Sequence, residues 1–214
     1  MYKAILFDLD GTLTDTLADI AFAMNRALTQ HGLQPWPQEA YCYLVGDGAK
    51  VLSQRCVRDR QDLAEAVRGT YQAYYETHSL VQTRPYDGVP EMLAALAARG
   101  VQLAVLSNKP DADTKNVVRH FFPEVPFAVV RGQVEGVPVK PDPTGALAVA
   151  AEMGVAPEEF LYLGDTAVDM NCARAAGMHP IGALWGFRTE EELRQSGAEF
   201  LAATPGDVLD IIFA

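Results

Sequence analysis

With 214 residues, 17 Lys and Arg against 28 Asp and Glu, and a formal net charge of −11, the chain is long enough for one self-sufficient core with a sizeable insertion. Its apolar share of 49% argues against a disordered chain. The acidic balance argues against nucleic acid or an anionic membrane surface as a partner, since both need a basic stripe. A small anionic ligand stays possible, because local charge can oppose net charge.

Short apolar runs alternate with helix-like segments along most of the chain. The runs that predict buried parallel strands are residues 4–7, 101–106, 127–130, 160–163 and 180–184. The helix-like segments between and after them are residues 90–99, 111–122, 144–153, 167–176 and 190–195. This alternation predicts an α/β fold with a doubly wound, Rossmann-like parallel sheet.

Residues 16–84 break the alternation, because they contain no clear strand. Apolar residues recur at helical spacing from Leu17 to Leu28, and residues 61–78 are typical of one long helix. We therefore predict a small all-helical cap domain at 16–84, inserted after the first strand into an α/β core made of 1–15 and 85–214. The hinges are expected at 15–16 and 82–88. Five tyrosines lie in the insertion, and we expect most to pack in its core and one or two to face a cleft.

The three cysteines, Cys42, Cys56 and Cys172, are far apart and form no Cys-x-x-Cys pair, which argues against a disulfide framework or a zinc site. The N-terminal apolar run is too short for a signal peptide, and no stretch approaches the ~20 apolar residues of a membrane span. The sequence predicts a soluble, cytoplasmic protein that is a monomer or a homodimer.

Polar side chains follow the predicted strands directly. Ligands of an open parallel sheet bind at the carboxyl ends of the strands, so these residues are the candidates for a site. They are Asp8, Asp10, Gly11 and Thr12 after the first strand, Ser107, Asn108 and Lys109 after the second, Lys140 past a loop after the third, and Asp165 and Asp169 after the fourth.

The candidate residues bring four carboxylates and the Lys140 ammonium to one edge of the sheet. Like charges this close cannot all stay ionised, and a divalent cation resolves the conflict. Oxygen ligands favour Mg²⁺. Asp8 and Asp10 are two residues apart and share a face of the strand, so both can reach one substrate. An EF-hand is excluded, because the sixth position counted from Asp8 is Leu13 and not glycine.

Four segments resemble the motifs of the haloacid dehalogenase-like hydrolase superfamily, and together they extend the resemblance over essentially the whole chain. They are residues 7–13 (FDLDGTL), 106–108 (LSN), 140–141 (KP) and 164–169 (GDTAVD). Residues 84–89, 107–110 and 185–188, with Glu191 and Leu193, are most similar to the phosphoglycolate phosphatase branch of that superfamily. The helical insertion is similar to the small cap of the same branch.

The resemblance implies an aspartyl-phosphate mechanism. Asp8 would be the nucleophile, Asp10 the general acid and then the base, and Lys140 the cation that neutralises charge on both nucleophile and phosphoryl group. The implied Mg²⁺ ligands are Asp8, the backbone carbonyl of Asp10, and Asp165, with Asp169 acting through water or indirectly. The implied phosphate-binding residues are Gly11, Thr12, Ser107, Asn108 and Lys140.

The loop around Gly46 and Gly48 resembles a substrate-specificity loop. Two glycines before a helix would present backbone N–H groups to a small carboxylate, although a plain helix–helix turn has the same pattern. Lys50 would either help to hold an anion or lie on the surface. The pattern also leaves open whether Asn108 or Lys109 contacts the substrate.

The function implied by the resemblance is Mg²⁺-dependent hydrolysis of a small phosphorylated metabolite, such as 2-phosphoglycolate. A sugar-phosphate phosphatase, a phosphoglucomutase-like enzyme, a pyrophosphatase and a nucleotidase are alternatives within the superfamily. The non-enzymatic alternative is a receiver or scaffold phosphorylated on Asp8, which would need neither Asp10 nor a cap. A dinucleotide oxidoreductase is disfavoured, because no Gly-x-Gly-x-x-Gly follows the first strand.

Overall fold

The computed structural model describes residues 2–214. The strands within this range are β1 (Ala4–Phe7), β2 (Thr14–Asp15), β3 (Arg84–Pro85), β4 (Gln102–Pro110), β5 (Phe127–Gln133), β6 (Phe160–Gly164), β7 (His179–Ala183) and β8 (Phe200–Ala202). The α-helices are α1 (Leu17–Gln30), α2 (Tyr41–Leu44), α3 (Gly48–Cys56), α4 (Ala64–His78), α5 (Val89–Ala98), α6 (Asp111–Phe121), α7 (Thr144–Met153), α8 (Ala167–Ala176), α9 (Glu190–Gln195) and α10 (Pro205–Phe213).

Six strands form one parallel sheet in the order β5-β4-β1-β6-β7-β8. The chain leaves β1 for β4 and β5 on one side and then returns to β6 on the other side. The carboxyl end of β1 therefore lies where the direction of winding reverses, which is where ligands of such sheets bind. The predicted α/β fold with a doubly wound parallel sheet is confirmed.

Both faces of the sheet are buried, which explains why β1 is apolar at every position. Ile5 and Phe7 pack into the core on one face of the sheet, and Ala4 and Leu6 pack into the core on the other. Alternate residues of a strand point to opposite faces, so a strand covered on both sides shows no polar alternation.

The residues from 16 to 84, called the helical segment below, have a hydrophobic core of their own. Met24, Tyr41 and Tyr75 are almost completely buried in it. The short strands β2 and β3 pair antiparallel at the two ends of the segment and bring its entry and exit together. The long helix predicted at 61–78 is α4, preceded by one 3₁₀ turn at residues 61–63.

The C-terminal elements β8 and α10 have no counterpart in the sequence prediction. A strand of three residues is too short to show a period, although the start of α10 carries a recognisable signal. Thr204 and Asp207 form a capping box there, and Pro205 occupies the first helical position. Within residues 2–214, no helix is long and apolar enough to cross a membrane, and the three cysteines are free thiols.

Candidate active site

Three aspartates that follow β1 and β6 converge at the carboxyl edge of the sheet. Asp8, Asp165 and Asp169 each offer a carboxylate oxygen, and these oxygens lie within 4.8 Å of one another. All three side chains are buried, with Asp165 fully enclosed. The sheet brings them together because β1 and β6 are hydrogen-bonded neighbours that end at the same level.

Lys140 is the cation of this cluster. Its Nζ donates to Asp8 Oδ1 at 2.8 Å, to Asp169 Oδ1 at 2.7 Å and to the Leu106 carbonyl at 3.1 Å. These three contacts use all three donors of an ammonium group. Burial by itself lowers the pKa of Lys140, but Asp169 and Asp8 hold that pKa well above its ordinary value.

The carboxyl groups of the cluster resist ionisation. Burial raises the pKa of Asp8 to about 7; Lys140 opposes this shift and Asp169 adds to it. Burial, followed by the charges of Asp169 and Asp8, raises the pKa of Asp165 well above its usual range. The edge therefore holds more negative charge than its lysine neutralises.

Four further hydrogen bonds orient Asp165 and Asp169. Asp165 accepts hydrogen bonds from Thr12 Oγ1 at 3.2 Å and from the Phe187 backbone N–H at 2.8 Å. Asp169 Oδ2 accepts from the side chain and N–H of Thr166, which forms a capping box at the start of α8. With its other oxygen bound to Lys140, the Asp169 carboxylate is fully hydrogen-bonded.

Gly11 and Thr12 lie against Asp165 and do not line the cavity described below. Gly11 has φ +89°, and a Cβ there would lie 2.3 Å from Asp165 Oδ2, so only glycine allows this approach. In this structure both residues support Asp165. Their part in phosphate binding stays a prediction.

Asp10 is paired with Lys109, whose role the sequence pattern did not decide. Lys109 Nζ donates to both carboxylate oxygens of Asp10 at 3.0 Å and to the hydroxyl of Tyr75 at 2.7 Å. The Lys109 side chain is only 4% exposed. Burial by itself lowers the pKa of Lys109, but Asp10 more than offsets this, so the pKa is raised and the group is a buried cation.

A small cavity of about 50 Å³ lies between the helical segment and the edge of the sheet. Its lining from the sheet side is Asp8, Asp10, Ser107, Asn108, Lys109, Pro110 and Phe187. Its lining from the helical segment is Ile20, Val45, Gly46, Gly48, Ala49, Leu52 and Tyr71. The predicted residues Gly46 and Gly48 therefore do face the site, whereas Lys50 is exposed and is not part of the lining.

The loop that carries Gly46 is hydrogen-bonded to the sheet edge. Asn108 Nδ2 donates to the carbonyls of Gly46 and Lys140, both at 3.0 Å, and Asn108 Oδ1 accepts from the Lys140 N–H. The Asn108 amide is thus engaged by protein groups, which leaves backbone N–H groups for the predicted phosphate contact. Arg188 Nη2 donates to the Val45 carbonyl at 3.2 Å from the other side of the loop.

The sequence matches a family model described as haloacid dehalogenase-like hydrolase over residues 5–183. The chain belongs to the haloacid dehalogenase-like hydrolase family. The match spans both the sheet and the inserted helical segment, so the candidate site lies wholly within it.

Relatives of known name point to one branch of this hydrolase family. The phosphoglycolate phosphatase of Aquifex aeolicus is 31% identical over 212 residues, which cover 98% of this chain and 96% of that protein. The N-acetylmuramic acid 6-phosphate phosphatase of Pseudomonas aeruginosa is 29% identical, covering 98% of this chain and 94% of that protein. The crystal structure of a protein assigned as a phosphoglycolate phosphatase, from Lactobacillus delbrueckii subsp. bulgaricus, matches with a TM-score of 0.93 at 29% identity, covering 99% of this chain and 98% of that one.

The predicted resemblance to the haloacid dehalogenase-like superfamily and its phosphoglycolate phosphatase branch is confirmed. The named relatives also indicate a phosphatase. The sequence pattern listed Lys109 as a candidate without a role, and the structure pairs it with Asp10. The pattern missed Tyr75, the second partner of Lys109. Nothing in a helical repeat marks the one tyrosine whose hydroxyl meets a residue of another element.

The donor set of the hydrolase site fits the Mg²⁺ that the resemblance implies. Asp8, Asp10, Asp165 and Asp169 face two lysines, so two negative charges are in excess, which matches one divalent cation. The candidate ligand atoms are all oxygens, as Mg²⁺ prefers. Within residues 2–214, no donor reaches Asp8 Oδ2, so this oxygen is free for an ion or a substrate.

Proposed function

We propose that the protein is a Mg²⁺-dependent phosphomonoester hydrolase that works through an aspartyl-phosphate on Asp8, with 2-phosphoglycolate or a similar small organic phosphate as substrate. The observation that carries this proposal is the geometry around Asp8. Its free carboxylate oxygen lies at a cavity, beside a buried lysine and two further carboxylates. A nucleophile, a counter-charge and a cation site are the parts that phosphoryl transfer needs.

Asp8 and Lys140 would carry the first step together. Asp8 Oδ2 would attack phosphorus, the phosphorus–oxygen bond to the alcohol would break, and the phosphoryl group would stay on Asp8. The Lys140 ammonium, 2.8 Å from the other oxygen of Asp8, would offset the charge that accumulates there. Water would then attack the same phosphorus, release inorganic phosphate and restore the Asp8 carboxylate.

Asp10 would move the protons of both steps. It lies two residues after Asp8 and lines the same cavity, so its carboxyl group can reach the leaving oxygen. It would donate a proton to that oxygen in the first step and take one from water in the second. The serine after β4, Ser107, lines the cavity opposite and would bind a phosphoryl oxygen together with backbone N–H groups near Asn108.

Asp8, Asp165 and the Asp10 carbonyl would hold Mg²⁺, which would supply positive charge to the phosphoryl oxygens when bound. Asp169 has both oxygens engaged by Lys140 and Thr166, which supports an indirect role, through water or through Lys140. Thr12 and the Phe187 N–H would keep Asp165 turned toward the ion.

The helical segment would act as a cap, with residues 1–15 and 85–214 as the catalytic core. Its own hydrophobic core and the pairing of β2 with β3 at its two ends support this division. The cap would exclude water and limit the size of the substrate. The Gly46–Gly48 loop, which faces the cavity, would meet the part of the substrate beyond the phosphate.

The size of the cavity favours a small substrate. A volume of about 50 Å³ is far below the ~300 Å³ at which ordinary ligand pockets begin. The Pseudomonas aeruginosa relative makes a sugar phosphate such as N-acetylmuramic acid 6-phosphate the second candidate. A substrate of that size would require the helical segment to move away from the sheet edge.

The test is phosphate release with Mg²⁺ and with EDTA, over 2-phosphoglycolate, N-acetylmuramic acid 6-phosphate, other sugar phosphates, pyrophosphate and nucleotides. We expect the highest kcat/KM for 2-phosphoglycolate and no turnover in EDTA. A preference for a sugar phosphate would replace the substrate and keep the mechanism. Absence of turnover on every compound, with stable phosphate on Asp8, would establish the receiver alternative.

A further inference from the structure

The ammonium group of Lys109 is shared between the sheet edge and the helical segment. Two of its three hydrogen bonds go to the carboxylate of Asp10, and the third goes to the hydroxyl of Tyr75, at 2.7 Å. An ammonium has three donors, so the three contacts satisfy it completely. Lys109 comes from the end of β4 on the sheet side, and Tyr75 comes from α4 in the helical segment.

The environment of Lys109 makes the Tyr75 hydroxyl important. The lysine side chain is 4% exposed, so water cannot replace a lost partner without cost. A second carboxylate, Asp113 in the first turn of α6, also attracts the ammonium. Without the hydroxyl, the third donor of Lys109 loses its acceptor, and a turn of the ammonium toward the charge of Asp113 would weaken its hydrogen bonds to Asp10.

We propose that Tyr75 and Lys109 are positioning residues that hold the Asp10 carboxylate in place when α4 is seated against the sheet edge. This inference rests on the proposed role of Asp10 as proton donor and acceptor. Proton transfer depends on distances near 3 Å, so a carboxylate that turns freely is a poor acid and base. The position of the helical segment thereby determines whether Asp10 is aligned, in addition to closing the cavity.

The Tyr75→Phe variant isolates the hydroxyl. The ring of Tyr75 also lies 4.6 Å from Lys109 Nζ and stacks on Tyr71, and phenylalanine keeps both contacts. The matched control is Tyr41→Phe, which removes a hydroxyl of the same segment's core, bonded to Asn25 Oδ1 at 2.8 Å. Tyr41 does not line the cavity.

We expect Tyr75→Phe to lower kcat about 10-fold, because misplacement of a catalytic group by a fraction of an ångström is costly. KM for 2-phosphoglycolate and Ki for inorganic phosphate should change less than ~2-fold, since phosphate binding does not use Tyr75. Tyr41→Phe should keep kcat within ~2-fold, although it should lower Tm about as much as Tyr75→Phe does. Lys109→Met should lower kcat about 100-fold, and adding Tyr75→Phe to it should change kcat less than ~2-fold.

Three outcomes would overturn the inference: an unchanged kcat in Tyr75→Phe, an equal loss in Tyr41→Phe, or losses that multiply in the double variant. Lys109→Arg provides a second test that keeps the charge, and it should also lower kcat with an unchanged Ki for phosphate. If the unmodified protein hydrolyses no phosphomonoester, the proposed function fails. If it does and the Tyr75 and Lys109 variants match it, only this inference fails.

Discussion

The two sides of the cavity differ in chemistry. The sheet side contributes two carboxylates, a serine hydroxyl and the Lys109 ammonium, whereas the helical segment contributes apolar side chains, two glycines and Tyr71. Net charge follows the same division, because residues 16–84 carry seven basic and seven acidic residues and the remaining residues carry the whole −11. The groups proposed to react are thus confined to the edge of the parallel sheet, and the helical segment has the composition expected of the proposed cap.

This difference has a physical reason. Buried charges are stable only when their partners are held in place, and the ends of hydrogen-bonded strands hold groups more firmly than a segment joined by two short linkers. Lys140, Asp8 and Asp169 all belong to the sheet side and satisfy one another there. The cavity-facing side of the helical segment carries no charged side chain, so on separation from the sheet only two cations would lose a partner: Lys109 the Tyr75 hydroxyl and Arg188 the Val45 carbonyl.

The largest expected effect tests whether chemistry belongs to the sheet side alone. Asp8→Asn removes the nucleophile, and we expect phosphate release to fall at least ~10³-fold. Burial already raises the pKa of Asp8 to about 7, so a neutral amide should be tolerated and Tm in EDTA should not fall. Colorimetric phosphate release and a thermal melt check both points. Turnover equal to that of the unmodified protein would refute the assignment of Asp8.

The next effect concerns the stability of the charged edge. Lys140→Met leaves Asp8 and Asp169 buried without their shared cation, and we expect the free energy of unfolding to fall by ~3–5 kcal/mol. Lys115→Met is the matched control, because it breaks a lysine–aspartate pair of similar length, with Asp111 at 2.7 Å, whose lysine is half exposed. That control should cost ~0–1 kcal/mol. Urea titration measures both free energies of unfolding. Equal losses would contradict the view that Asp8 and Asp169 depend on Lys140 as their buried cation.

The same division decides what could be predicted from sequence. Asp8, Lys140, Asp165 and Asp169 come together as expected, because the order of parallel strands brings strand ends to one edge. The aspartates follow β1 and β6 closely, and Lys140 follows β5 after a loop. Position after a strand is a property of the sequence pattern. The sheet itself could be predicted because each of its five longer strands contains a short apolar run.

The contacts between the two regions could not be predicted. The bond from Tyr75 to Lys109 and the bond from Asn108 to the Gly46 carbonyl depend on how the helical segment is docked. Docking is set by side-chain packing over many residues, which leaves no local period in the sequence. The expectation that one or two tyrosines face a cleft agrees with Tyr71, which lines the cavity, but the pattern could not say which tyrosine it would be.

A smaller effect follows from the raised pKa values at the edge. The pKa of Asp8 lies at about 7 in the folded protein, against an ordinary value of 3.8. The folded protein therefore binds the proton more tightly, and its contribution to stability is lost as pH rises from about 4 through about 7. We expect the free energy of unfolding in EDTA to decline over this range, and less steeply in Asp8→Asn. Saturating Mg²⁺ should flatten the decline. An equal slope for the unmodified protein in EDTA, for Asp8→Asn in EDTA and for the unmodified protein with Mg²⁺ would contradict an excess of negative charge at the sheet edge.

The smallest effect tests the cover alone. Gly48 has φ +83°, and a Cβ there would lie 3.0 Å from the carbonyl oxygen of Asn108, so Gly48→Ala pushes the loop away from the sheet edge. Gly32→Ala is the matched control, because Gly32 has φ +72° and a Cβ there would meet nothing within 4 Å. Both variants carry the same left-handed strain of ~1–2 kcal/mol, but only Gly48→Ala should raise KM, by about 5-fold on the scale of one lost subsite contact. Steady-state kinetics on 2-phosphoglycolate decides, because a cover that only shapes the cavity must change KM more than kcat. A loss confined to kcat would instead mean that the loop aligns reacting groups. The helical segment would then take part in the chemistry and would not serve only as a cover.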